Sequence, residues 1–193
     1  MSSSPAHAVS VWNVPNALTV LRIVLVPVFV VVLLIEDGTS TSMRIWAALI
    51  FVIAVATDWL DGDLARRQGL VTDFGKIADP IADKALIGAA LICLSLLGEL
   101  AWWITVVIMV REVGVTLLRF VVIRRGVIPA SRGGKLKTTL QSAGLTLLIL
   151  PLSGFFSAVG LIVMYAALLV TVVTGVDYVM QAWRVWRGAA DPR

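Results

Sequence analysis

Apolar positions in this chain neither alternate nor settle into a one-sided helical stripe. They come in blocks that are hydrophobic all round, separated by short polar interruptions. The longest uncharged block, Thr138 to Val176, holds 39 residues. As one helix it would be about 58 Å long, nearly twice the hydrocarbon thickness of a bilayer. It therefore divides into two spans, 138–155 and 158–183, with Pro151, Ser153 and Gly154 marking the turn. Four more blocks cover residues 20–36, 43–67, 79–98 and 101–123, the first closed by Glu36-Asp37-Gly38. The pattern predicts an all-α polytopic membrane protein, one domain over residues 1–193 with six transmembrane helices and both termini on the same side. The segment VSVWNVPNALT ahead of Arg22 is expected to lie along the surface as a short N-terminal interfacial helix. No positive stretch precedes the first block and no small-residue cleavage site follows it, so it reads as a retained span.

Composition strengthens this reading. Hydrophobic residues make up 59% of the chain and charged residues only 15%, with a mean hydropathy of +0.96. A disordered chain, a coiled coil or a nucleic-acid arm needs more charge, and a soluble enzyme has no way to cover so much apolar surface. Charge then orients the spans. Of the 16 Lys and Arg residues, thirteen fall on one side of the six-span arrangement, Arg22 among them, and only Arg44 on the other. Arg111 and Arg119 lie within the fourth span. The bias places the termini and the loops 67–78 and 124–137 in the cytoplasm, and it accounts for the basic balance without nucleic acid as a partner. Trp12, Trp183 and Trp186 fall near the inner interface and Trp46, Trp102 and Trp103 near the outer one, the ordinary belt role of tryptophan. The lone Cys93 reads as a small buried hydrophobe, and His7 as a solvated residue.

The acids carry the chemistry. Asp58 and Asp61 are spaced i, i+3 at the end of the second span, and Asp79 and Asp83 i, i+4 at the start of the third. A short turn makes these helices antiparallel neighbours, so the four carboxylates converge. Four carboxylates at a membrane boundary repel one another unless cations neutralise them. An oxygen-only ligand set suits hard divalent ions, Mg²⁺ or else Mn²⁺ or Ca²⁺, and no His/Cys set argues for zinc. Two ions sharing bridging carboxylates serve substitution at phosphorus. Gly62, Ala65 and Gly75 leave room on the same faces, and Arg66 offers a planar charge suited to a diphosphate. The structural alternative, acids pairing with Arg66, Arg67, Lys76 and Lys84, is the reading preferred for Asp63 and Asp73 alone.

The stretch DWLDGDLARRQGLVTDFGKIADPIAD resembles the signature of the CDP-alcohol phosphatidyltransferase family: D-x2-D-G-x2-A-R, eight residues, then G-x3-D-x3-D, with all eight fixed positions filled. The resemblance implies six transmembrane helices in a homodimer, a cytoplasm-facing cavity, and two divalent cations held by Asp58, Asp61, Asp79 and Asp83. It implies Asp83 as the catalytic base that deprotonates an acceptor hydroxyl, which attacks the β-phosphorus of a CDP-lipid such as CDP-diacylglycerol and expels CMP. It also implies that Gly62, Ala65, Arg66 and Gly75 line the CDP site.

The signature leaves the acceptor alcohol open. Arg111 and Glu112 interrupt the fourth span, with Arg119 eight residues after Arg111 on nearly the same face. Buried charges of this kind pair with one another or line a wet cavity, and a purely structural Arg111–Glu112 pair is one reading. The loop SRGGKLKT sets two glycines before Lys135 and Lys137 at a helix start, where N–H groups favour an anion; a positive-inside loop is the plainer alternative. Together with Arg119 these residues form a candidate pocket for a second phosphate. NVPNALTVLRIVLVP, KIADPIADK, REVGVTLLR and GKLKT are similar to the bacterial branch of the family whose acceptor is sn-glycerol 3-phosphate. That likeness implies Arg119, Lys135 and Lys137 as acceptor-phosphate ligands and Arg111 and Glu112 as shaping the site. Within the family the alternatives are a cardiolipin synthase and an inositol-phosphate-using enzyme; in another class, a divalent cation carrier. Asp177, late in the sixth span, has no role in this reading.

Overall fold

The computed structural model describes residues 14–68, 73–122 and 132–188; within these, the side chains of residues 15, 58–68, 73–77, 79–80, 119–122, 132–133, 185 and 188 lie outside the description. The described residues form helices joined by short turns and carry no strand. The α-helices are α1 (Val14–Leu34), α2 (Thr41–Gln68), α3 (Asp73–Leu96), α4 (Trp102–Val122), α5 (Arg132–Ile149) and α6 (Phe155–Gly188). Contacts divide the chain into two compact units, residues 1–89 and 90–193.

In the first unit α1 packs on α2. Phe29 and Leu33 of α1 and Ala47, Phe51 and Ala54 of α2 are fully buried, and the Phe29 and Phe51 rings meet at 5.6 Å. The hairpin turns through Glu36 and Asp37, both at φ 53°, and Gly38 at φ 69°. Two non-glycine residues in the left-handed region are costly. The Glu36 carbonyl compensates by accepting from the Thr39 N–H at 3.0 Å and the Thr39 hydroxyl at 2.7 Å. The expected interfacial helix is not a separate element from Val14 onward. Residues 14–34 form one helix, because Pro15 sits in the first turn, where it displaces no intrahelical bond, and no glycine follows before the turn. The residues of that expectation before Val14, with His7 and Trp12, lie outside the described residues. Arg22, counted among the basic residues of one side, is fully buried, and its Nε donates to the Ala54 carbonyl at 3.3 Å.

In the second unit α5 and α6 form a hairpin, and α4 packs on α6. Gly144 of α5 permits the close approach: a Cβ there would stand 2.7 Å from the Met164 sulfur and 3.2 Å from its backbone nitrogen. The hairpin turns at Gly154, φ 59°, where Pro151 and Ser153 predict a break. The end of α3 is joined to α4 through Gly98 at φ 75°, with the Glu99 N–H reaching back to the Leu94 carbonyl at 2.9 Å and the Gly98 N–H to the Ser95 carbonyl at 3.2 Å. This glycine-dependent cap satisfies carbonyls the helix leaves over. Across the turn the Ser95 and Thr105 hydroxyls are 2.7 Å apart.

Two stretches are long and apolar enough to cross a membrane, Asn16–Gly38 and Phe155–Arg184, and Thr41–Thr57 is a shorter apolar stretch. Their outward sides are apolar: Val24, Val28 and Val31 on α1 and Ile162, Leu169, Val173 and Val176 on α6 are exposed. Trp46, Trp102, Trp103, Trp183 and Trp186 are exposed as well. Side chains of this kind, packed outward on long helices, match a lipid surrounding rather than water.

Candidate functional site

The second helix runs without interruption to Gln68, so Asp58, Asp61, Gly62, Ala65 and Arg66 occupy successive positions i, i+3, i+4, i+7 and i+8 of regular helix. That places all five on one face. In register the row extends the line of Ala47, Phe51 and Ala54, the residues α2 buries. The third helix begins at Asp73 rather than Asp79. Asp73, expected in the turn, is therefore its first residue, and Gly75, Asp79 and Asp83 follow one another at four-residue steps along a single α3 face. Beside that row Ala78, Ala82 and Leu86 are buried. Asp83 is half-buried, whereas the side chains of Asp58, Asp61, Gly62, Ala65, Arg66, Gly75 and Asp79 lie outside the described residues. The ionisable donors in each row are carboxylates, whose oxygen chemistry is the kind hard divalent ions take.

A second polar centre lies among α4, α5 and α6. Arg111 is held on three sides: its Nε donates to the Thr171 carbonyl at 3.1 Å, Nη1 to Glu112 Oε1 at 3.1 Å and Nη2 to the Thr174 hydroxyl at 2.8 Å. The same Glu112 oxygen accepts from Lys137 Nζ. Gln141 closes the arrangement by donating to Thr171 Oγ1 at 3.2 Å. The side chains of Arg111, Glu112 and Lys137 are 16%, 17% and 8% exposed. That is too little for a surface ion pair, so each charge here is paid for by its partners. One carboxylate thus serves two cations from different helices.

The sequence-predicted acceptor residues are distributed unevenly around this centre. Arg111, Glu112 and Lys137 come together. Lys135 is exposed on α5, two positions from buried Lys137 and on a different side of the helix. The two lysines therefore do not form one pocket by themselves. Arg119 stands two turns after Arg111 on α4, and its side chain lies outside the described residues. The helix begins at Arg132, six residues before the predicted span 138–155, so Gly133 and Gly134 lie in its first turn and not in a loop ahead of it. Asp177 accepts from Gln181 Nε2 at 2.8 Å within α6.

Sequence reasoning missed Thr171, Thr174, Gly175 and Gln141, which hold this centre from α6 and α5. Their one signal is a run of small and polar residues, Thr171, Thr174 and Gly175, in an otherwise apolar helix. It also missed Arg22, whose signal is a lone cation inside the first apolar block.

Comparison with known proteins identifies the neighbourhood of this chain. The family model described as CDP-alcohol phosphatidyltransferase matches residues 12–173. A Mycobacterium tuberculosis protein named "probable phosphatidylglycerophosphate synthase" is 56% identical over 172 residues, covering 89% of this chain and 82% of the relative. A Bacillus subtilis protein named CDP-diacylglycerol–glycerol-3-phosphate 3-phosphatidyltransferase is 36% identical, over 89% of this chain and 96% of its own length. A Rickettsia typhi protein of the same name is 39% identical, over 86% and 94%.

Proposed function

The chain belongs to the CDP-alcohol phosphatidyltransferase family, and from that premise we propose that it transfers the phosphatidyl group of CDP-diacylglycerol to sn-glycerol 3-phosphate, giving phosphatidylglycerophosphate and CMP. The observation that carries this reading is the complete family signature from Asp58 to Asp83 laid on two uninterrupted helical faces. The names of relatives alike over most of the chain support the acceptor.

Asp58, Asp61, Asp79 and Asp83 would hold two divalent cations, Mg²⁺ or Mn²⁺; their carboxylate chemistry fits such ions. Bound there, the ions supply charge neutralisation for the phosphate oxygens and the departing CMP. Gly62, Ala65 and Gly75 leave backbone open to the CDP moiety, and Arg66 pairs its diphosphate. Asp83 takes the proton from the acceptor hydroxyl as that oxygen forms its bond to the β-phosphorus, and the bond from phosphorus to the CMP oxygen breaks. Arg119, Lys135 and Lys137 contribute positive charge for the acceptor's own phosphate, a group that a neutral alcohol lacks. Arg111 and Glu112 fix Lys137 in place. A homodimer with six spans, cytoplasmic termini and a cytoplasm-facing site completes the proposal. It draws support from the apolar helices and from the thirteen basic residues counted on one side of the chain.

The test is a panel of acceptors offered to purified enzyme with CDP-diacylglycerol and Mg²⁺. Glycerol 3-phosphate is expected to drive CMP release, with phosphatidylglycerol and inositol phosphate inactive. Product from either of those in place of glycerol 3-phosphate overturns the acceptor assignment.

A further inference from the structure

Gly175 lies on α6 against the side chain of Arg111. A Cβ at position 175 would stand 3.0 Å from Arg111 Cγ, 3.3 Å from Nε and 3.7 Å from Cδ. Such a contact is relieved only if the neighbour gives way, and Arg111 has nowhere to go. Its backbone is fixed in α4, and its guanidinium is tied to the Thr171 carbonyl, the Thr174 hydroxyl and Glu112. The crowded atom is near the root of the side chain, so rotation of the far end alone does not clear it. Thr174 is itself anchored, its hydroxyl donating to the Val170 carbonyl at 2.7 Å. The Thr171 carbonyl and the Thr174 hydroxyl thus present two acceptors at fixed places one turn apart, with the missing side chain of Gly175 between them and the arginine stem.

We infer that Gly175 and Thr174 are positioning residues for the acceptor site. They seat Arg111, and Arg111 in turn fixes the Glu112 carboxylate that holds Lys137. Neither residue belongs to the family signature, and neither touches substrate in this account. The inference rests on the reading of the α4–α6 centre as part of the acceptor-phosphate site. A methyl group at position 175 drives Arg111 off the Thr171 carbonyl. Removing the hydroxyl at 174 takes away the Nη2 acceptor. Either change loosens the Glu112 oxygen shared with Lys137.

The experiment compares full-length wild type with Gly175→Ala, Thr174→Val and Thr174→Ser, in detergent with CDP-diacylglycerol and Mg²⁺. Gly175→Ala and Thr174→Val are expected to raise the KM for glycerol 3-phosphate about tenfold, as for one lost charged hydrogen bond. The KM for CDP-diacylglycerol stays as in wild type, while the melting midpoint falls modestly because the buried guanidinium loses an acceptor. Thr174→Ser, which keeps the hydroxyl, restores the wild-type KM. An unchanged glycerol 3-phosphate KM in both Gly175→Ala and Thr174→Val overturns the inference, whatever happens to kcat or melting. A second readout does not depend on turnover. In arginine-¹⁵N-labelled protein the Arg111 Nε–H signal, assigned by its loss in Arg111→Lys, is expected to be slowly exchanging in wild type and to shift in Gly175→Ala. A wild type that ignores glycerol 3-phosphate brings down the acceptor assignment, and the seating of Arg111 is then judged by this signal alone: a shift upholds it and an unmoved signal overturns it.

Discussion

The carboxylate faces of α2 and α3 and the charged centre of α4, α5 and α6 both gather ionisable residues inside an apolar protein, by opposite means. On α2 and α3 the spacing is local: three, four and eight residues within single helices. Around Arg111 the partners are 25, 60 and 63 residues apart, on three helices. The signature acids are like charges at local spacings, the set for which bound cations are proposed. The α4–α6 centre has its carboxylate already matched to Arg111 and Lys137. In the proposed reading the first arrangement receives ligands, whereas in the second the protein itself matches the carboxylate and fixes where its cations stand.

Substitutions sharpen that contrast. The largest effect is expected at Asp83. Asp83→Asn should lower glycerol 3-phosphate-dependent CMP release by roughly 10³-fold, the scale of a lost proton acceptor, with little change in melting. Chelation of divalent ions should reproduce the loss, and Mg²⁺ should reverse it in wild type. Full turnover in Asp83→Asn would erase the distinction between the two regions. Glu112→Gln should act the other way. Removing the carboxylate bonded by both cations should cost about 3–5 kcal/mol of stability, read as a lower melting midpoint, together with a raised glycerol 3-phosphate KM. A stable Glu112→Gln protein would mean that the centre is not held by its ion pairs. The smallest effect is expected at exposed Lys135. Lys135→Ala should raise the glycerol 3-phosphate KM a few-fold, in a salt-dependent manner and without loss of stability, whereas Lys137→Ala should also lower the melting midpoint. Equal behaviour of the two lysines would contradict their placement on different sides of α5.

Legibility followed the same division. Helix positions follow the apolar blocks, with α5 at 132–149 in place of 138–155, and the breaks at Gly98 and Gly154 have a backbone reason in their positive φ. The start of α3 at Asp73 was missed because the charged residues before Asp79 looked like a loop; the helix continues through them at a polar boundary. From Val14 onward the expected interfacial segment is continuous with α1, and its polar Asn16 and Thr19 are buried. Arg22 was counted only for the charge bias between the two sides, and its burial against α2 was invisible without the partner helix.

The sequence by itself determined the all-helical class, the family, and the residues whose spacing sets carboxylates on two faces. Those features depend on 3.6-residue periodicity and on the hydrophobicity of contiguous blocks, both of which are local. Tertiary structure alone decided that Lys137 turns inward to Glu112 while Lys135 stays exposed, and that α6 seats Arg111 in a gap left by Gly175. The sequence sets the helical phase of a charge, but its partner depends on which helix packs alongside. A buried ion pair exists only where the fold brings both charges and their hydrogen-bond acceptors to the same place.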